Sequence, residues 1–175
     1  MASGPKHGAL VADTHAHSDD HHYTATGLDN RIVYLERGTA HRIGIKLAAE
    51  AVAVGRAQGY QLGNILGIAP DDWSGAGKGD ATALNTVQDG LTAWMATLLE
   101  PSQSSVGRDV ARGRRSEIDF TNGLVADKGV EVGVPAPTHA ALTALVRRID
   151  SGELKPDPKN IDAILGSSVI DTMNA

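Results

Sequence analysis

Cysteine is absent from this 175-residue chain, and aromatic residues number only six. The first absence removes disulfides, thiol nucleophiles and cysteine-ligated zinc, and it fits a reducing compartment. The second leaves Ala, Leu, Val and Ile to build the core, which favours close-packed helices with small residues at their contacts. No run approaches the roughly 18 apolar residues of a membrane span, and the N-terminus carries no apolar signal core. Excess positive charge is also missing. The net charge is -5 and the basic residues are scattered rather than striped, so there is no electrostatic footprint for nucleic acid. What is present, 41% apolar and 21% charged residues, is the composition of one globular domain that can bury a proper core. A cytoplasmic enzyme domain is the expectation.

Residues 1–26 hold five of the seven histidines and three aspartates with no sustained apolar period, and read as a poorly ordered His/Asp-rich arm. From Thr39, Ile43, Leu47, Ala51 and Val54 recur at helical spacing, and Gly59 is the natural C-cap. Five glycines and a proline between Gly63 and Gly79 predict a loop around Trp73, with a helical turn near Asp71. Leu84, Val87, Leu91, Trp94, Met95 and Leu98 mark a second helix closed by Pro101. A short third helix runs from about Ser105 to Gly113. Ser116 and Asp119 have capping-box spacing for a fourth, which carries Ile118, Leu124, Val125 and Val132 and stops around Gly133. Leu142, Leu145, Val146 and Ile149, at i, i+3, i+4 and i+7, define a fifth. The segment after Ser151 reads as an extended tail with a final turn. No stretch alternates as a strand should, so the fold class is all-α.

The segment SSVGRDVARGRRSEIDFTNGLVADKGVEVGVPAP, Ser104 to Pro137, resembles the substrate-side helical domain of ketopantoate reductases. The ordered marks are Ser104-Ser105, Asp109, Gly113 through Asp119, Asn122-Gly123, Gly129, Gly133-Val134-Pro135 and Pro137. Upstream, Thr26-Gly27-Leu28 and the Leu47 to Tyr60 helix also look like the family. The resemblance implies a helical bundle similar to the 6-phosphogluconate dehydrogenase C-terminal domain over residues 27–160, with residues 161–175 as a C-terminal tail. It implies an NADP-dependent reduction of 2-dehydropantoate or a similar 2-keto acid, in pantothenate biosynthesis. It assigns Ser105 to the substrate carboxylate and Glu117 to a substrate hydroxyl.

Elementary chemistry agrees on what such a site needs: a donor for the oxygen that gains charge, and polar groups that fix the carboxylate and hydroxyl. Ser105 and Glu117 are twelve residues apart. On one straight helix that is about 18 Å, so a turn at Gly113 is required to bring them to one cleft. Each also has a plain structural reading: Ser105 as a helix cap, Glu117 as an acid near a helix N-terminus, Asn122-Gly123 as a packing feature. The family's catalytic lysine falls near Ala12 and its asparagine near Ala16, so the family lysine is absent. No glycine-rich turn links a strand to a helix, so NADPH is not expected to bind this chain alone, and a missing or separate nucleotide-binding domain is the implied partner. On this reading the chain is inactive in isolation.

Two rival readings come from other classes. A noncatalytic dimerisation or interaction module, forming a homodimer, would use the groove left by a missing neighbour domain. Asp13-Thr14-His15-Ala16-His17-Ser18-Asp19 looks like the metal-binding opening of hydrolase barrels, with His15 and His17 on one strand face as the metal pair. Barrels of that kind need further strands, and His41 and His139 are the only later imidazoles. Gly75-Ala76-Gly77-Lys78-Gly79-Asp80 imitates a phosphate loop but lacks the leading glycine, the Ser or Thr and the preceding strand, and reads as a flexible loop.

Overall fold

The computed structural model describes residues 6–7, 25–26, 35–97 and 115–167. The helices there are α1 (Thr39–Ala57), α2 (Pro70–Gly77), α3 (Ala81–Ala96), α4 (Asn122–Val132), α5 (Pro137–Asp150) and α6 (Asp162–Ser167). Short 3-10 turns cover Ile118–Phe120 and Pro158–Ile161. Among the described residues, extended pairing consists of two-residue strands, β1 (Lys6–His7) and β2 (Tyr60–Gln61), paired in parallel, and an antiparallel bridge between Ile65 and Ile68. The architecture is all-α.

Helix α1 is the axis of the molecule because its sequence is apolar on nearly every side, which only a central helix can satisfy. Ala40, Ile43 and Leu47 face a main core that also contains Ile118, Leu142, Leu145, Val146, Ile149, Ile161 and Ile164. Ile45, Ala48 and Val52 face a second core with Ile65, Ile68, Trp73, Val87 and Leu91. Ala51 and Val54 close on Val125 and Ala136. The four periodic residues of α5 are all buried, as their spacing requires.

The stretch expected to be a loop is partly the eight-residue helix α2. Pro70 opens it, Asp71 and Asp72 lie in its first turn where acids complement the helix dipole, and Trp73 is buried with its indole N–H donating to the Ile65 carbonyl at 3.3 Å. A Cβ on Gly77 would collide with Ala49 of α1, and one on Gly75 would come within 2.8 Å of the Ala83 side chain. These glycines therefore admit close helix packing. The resemblance to a phosphate loop ends there, and the segment is a helix end and turn rather than a flexible loop.

Gly133 ends α4 in the left-handed region at φ 71°, with the Val134 N–H returning to the Gly129 carbonyl. Chain on both sides of residues 27–160 contributes to the main core. Ala25 is fully buried there with Ile161 and Ile164, and its carbonyl accepts from the Asp157 N–H and the Asn160 side chain. Where a tail is expected, residues 158–167 form the second 3-10 turn followed by α6. The third helix expected at Ser105–Gly113, and most of the expected arm, lie outside the described residues.

Candidate substrate-binding site

Glu117 stands immediately before the 3-10 turn Ile118–Phe120 with its side chain exposed. Ile118 behind it is fully buried in the main core, and the Glu117 carbonyl accepts from the Phe120 N–H at 3.0 Å and the Thr121 hydroxyl at 3.2 Å. In front of it, Ser116 is tied to the last residue of α5: its N–H faces both Asp150 carboxylate oxygens at 3.3 and 3.2 Å, and its hydroxyl donates to Oδ2 at 2.7 Å. An exposed carboxylate is thus mounted on a backbone held at both ends.

The expected capping box between Ser116 and Asp119 is not formed. Asp119 accepts instead from Arg147 Nε of α5 at 2.7 Å and from Arg115 at 3.0 Å, and the helix expected to begin here begins at Asn122. Both residues reach across to α5, Ser116 to Asp150 and Asp119 to Arg147. Local spacing suggests a cap, but the partner is 34 residues away in sequence. Arg115 is paired with Asp119 four residues on.

Ser105, Asp109 and Gly113 lie outside the described residues, as do His15, His17, Ala12 and Ala16. Of the two site residues expected from sequence, the structure therefore places Glu117 alone. Among the described residues, no cluster of three His, Asp or Glu side chains is arranged to hold a metal ion.

Beneath the turn lies a polar network that sequence reasoning missed. Asn122 and His139 are both fully buried, and Asn122 Nδ2 lies 3.2 Å from His139 Nδ1. His139 Nε2 faces the Leu47 carbonyl at 3.0 Å. A carbonyl can only accept, so Nε2 carries the proton and Nδ1 accepts from the Asn122 amide. With both nitrogens engaged, His139 is a strut between α1, α4 and α5. Asn122-Gly123 is likewise a packing feature: Gly123 fits against the Ile118 carbonyl and Thr143.

Glu50 of α1 completes the network by capping α5. Its carboxylate accepts from the Thr138 N–H at 3.0 Å to each oxygen and from the His139 N–H at 3.1 Å, where α5 has no cap of its own. Burial pushes the Glu50 carboxyl above its ordinary value, against the opposing pull of the Thr138 and His139 donors and of Lys46. The signal for Glu50 in the sequence is an acid on the inward side of an apolar helix, which names no partner.

The comparisons agree with this architecture. The sequence model of the family described as "Ketopantoate reductase PanE/ApbA C terminal" matches residues 23–150, an interval that contains Glu117 and the position of Ser105. A 2-dehydropantoate 2-reductase of Archaeoglobus fulgidus is 36% identical over 58 residues, which is 33% of this chain and 20% of that protein. The crystal structure of a PanE/ApbA family ketopantoate reductase from Ralstonia eutropha JMP134 superposes with a TM-score of 0.61 at 29% identity, covering 86% of this chain and 43% of that one. The chain thus spans less than half the length of either relative. A helical bundle arranged around α1, with the motif from Ser116 to Gly123 fastened to α5, belongs to the ketopantoate reductase C-terminal domain family.

Proposed function

We propose that this chain supplies the substrate-binding side of a 2-dehydropantoate 2-reductase-like, NADP-dependent oxidoreductase, which converts the ketone of a 2-keto acid to a 2-hydroxy acid. The observation that carries the reading is the mounting of Glu117: an exposed carboxylate on a turn held by Asp150 on one side and by buried Ile118 on the other, at the position where the family places a substrate-hydroxyl contact. A carboxylate accepts from a hydroxyl, and a pinned backbone limits the region its side chain can reach, which lowers part of the entropic cost of orienting the substrate. Ser105 is the proposed partner for the substrate carboxylate.

NADPH fits none of the described residues. The glycines at 75 and 77 are used up by helix contacts, and no strand leads into a phosphate-binding turn among the described residues. The cofactor is proposed to sit on a nucleotide-binding domain outside those residues, and no hydride step is assigned to this chain. The setting proposed is the cytoplasm and pantothenate synthesis; among the described residues no helix is long and apolar enough to cross a membrane.

A second reading, an association module, is favoured by Phe120 at 79% and Val130 at 83% exposure. Large apolar side chains so exposed suit a protein contact. Light scattering over a concentration series tests it: a mass that rises toward a dimer supports it, and a constant monomer mass removes it.

For the first reading the test is direct. The 175-residue chain with NADPH and 2-dehydropantoate, followed at the cofactor absorbance band, is expected to give negligible turnover, yet to bind the product pantoate saturably in calorimetry. Glu117→Ala weakens that binding about tenfold, the worth of one hydrogen bond to a charged group. Robust turnover by the chain alone, or absence of saturable binding, would overturn it.

A further inference from the structure

The last turn of α5 carries Arg147 and Arg148, cations that suit the negative end of a helix, and then places an acid, Asp150, where the dipole disfavours one. No residue of α5 gains from that carboxylate. Its acceptors are spent instead on Ser116, through the N–H and the hydroxyl, the residue directly before Glu117. Two residues further on, Asp119 is held by Arg147 of the same helix at 2.7 Å. One end of α5 therefore grips the chain immediately before and shortly after Glu117.

We propose that Asp150 is a positioning residue for Glu117, acting through Ser116 to fix where the substrate-binding carboxylate stands. The inference rests on the substrate-side reading given above. A two-point acceptor for both the N–H and the O–H of Ser116 fixes rotation about that residue, which a single hydrogen bond would not. Glu117 itself makes no side-chain hydrogen bond or ion pair to any described residue, so what the described residues fix is the backbone position from which its carboxylate reaches out. Asp150 touches no reacting atom in this role.

The test combines a readout that needs no ligand with one that does. In the 15N-labelled chain, amide exchange of Ser116 and Glu117 is compared in wild type, Asp150→Asn, Asp150→Glu and Ser116→Ala, and pantoate affinity is measured on the same samples. Asp150→Asn is expected to raise exchange at Ser116 about tenfold and to weaken pantoate binding about tenfold, since a charge-assisted acceptor becomes a neutral one. Asp150→Glu is expected to recover most of both. Ile68→Val, in the second core, serves as the control for lost stability alone and leaves affinity unchanged. In a Glu117→Ala background, Asp150→Asn is expected to cost no further affinity.

Unchanged exchange in Asp150→Asn overturns the clamp whatever the ligand does. Raised exchange with unchanged affinity, or an equal loss of affinity in Ile68→Val, reduces Asp150 to a structural residue. Failure of wild type to bind pantoate overturns the substrate-side reading and the positioning role with it, while the exchange result still decides whether the clamp exists.

Discussion

Removing the Glu50 carboxylate tests the buried network that sets α5 against α1. Glu50→Ala leaves the Thr138 and His139 N–H groups without their acceptor at a helix start that has no other cap. Loss of a side-chain cap costs about 1 kcal/mol, and hydrogen bonds to a charged group are worth about 1.5–3 kcal/mol, offset by relief of the desolvation that raises the carboxyl. A net loss of about 1–3 kcal/mol follows, or about 2–4 °C in Tm for each kcal/mol in a chain of this size. Glu50→Gln, which keeps one accepting oxygen, should cost less.

The pH dependence has a definite sign. A carboxyl raised on folding binds its proton more tightly in the folded state, so wild type loses stability relative to Glu50→Ala as pH rises from the ordinary value of 4.5 through the raised folded value. The advantage of wild type is therefore largest below that window and smaller at neutral pH. Urea unfolding of both proteins at several pH values measures it. A wild-type advantage that grows as pH rises would mean that the hydrogen-bond donors and Lys46 outweigh burial, and would refute the reasoning; a variant within about 0.3 kcal/mol of wild type would refute the cap itself, being below the roughly 0.5–2 kcal/mol of a cap lost to alanine.

Two further substitutions probe the packing. Leu142→Ala, at a fully buried site in the main core, is expected to cost about 2–5 kcal/mol in chemical denaturation, and a cost below about 1 kcal/mol would place that side chain outside the core. Gly77→Val puts a branched side chain where α2 meets Ala49 of α1, and should cost at least about 1–3 kcal/mol with a loss of Trp73 near-ultraviolet signal as α2 separates; an unchanged spectrum would contradict the contact.

The elements legible in the sequence are those whose cause is local. The period Leu142, Leu145, Val146, Ile149 is itself the buried stripe of α5, and Gly133 stops α4 because it alone tolerates the left-handed turn there. Helix α2 is illegible because glycine lowers helix propensity wherever it stands, whereas Gly75 and Gly77 are there for contacts with α3 and α1 that no local window contains. The site divides in the same way. Glu117 can be picked out from its motif, but what fixes it cannot: Ser116 and Asp119 mimic a cap at short range while their partners Asp150 and Arg147 lie on another helix. Glu50 and Thr138 are separated by 88 residues, and only the folded chain brings an acid on α1 to the start of α5.

The most direct measurement is a titration of pantoate into the 15N-labelled chain, read by amide chemical shift. The account predicts saturable shifts concentrated from Arg115 to Thr121 and at Asp150, with Glu117→Ala moving the midpoint to about tenfold higher pantoate. Shifts confined instead to the open groove between α5 and α6, lined by Ala144, Arg148, Lys159 and Ala163, would contradict it.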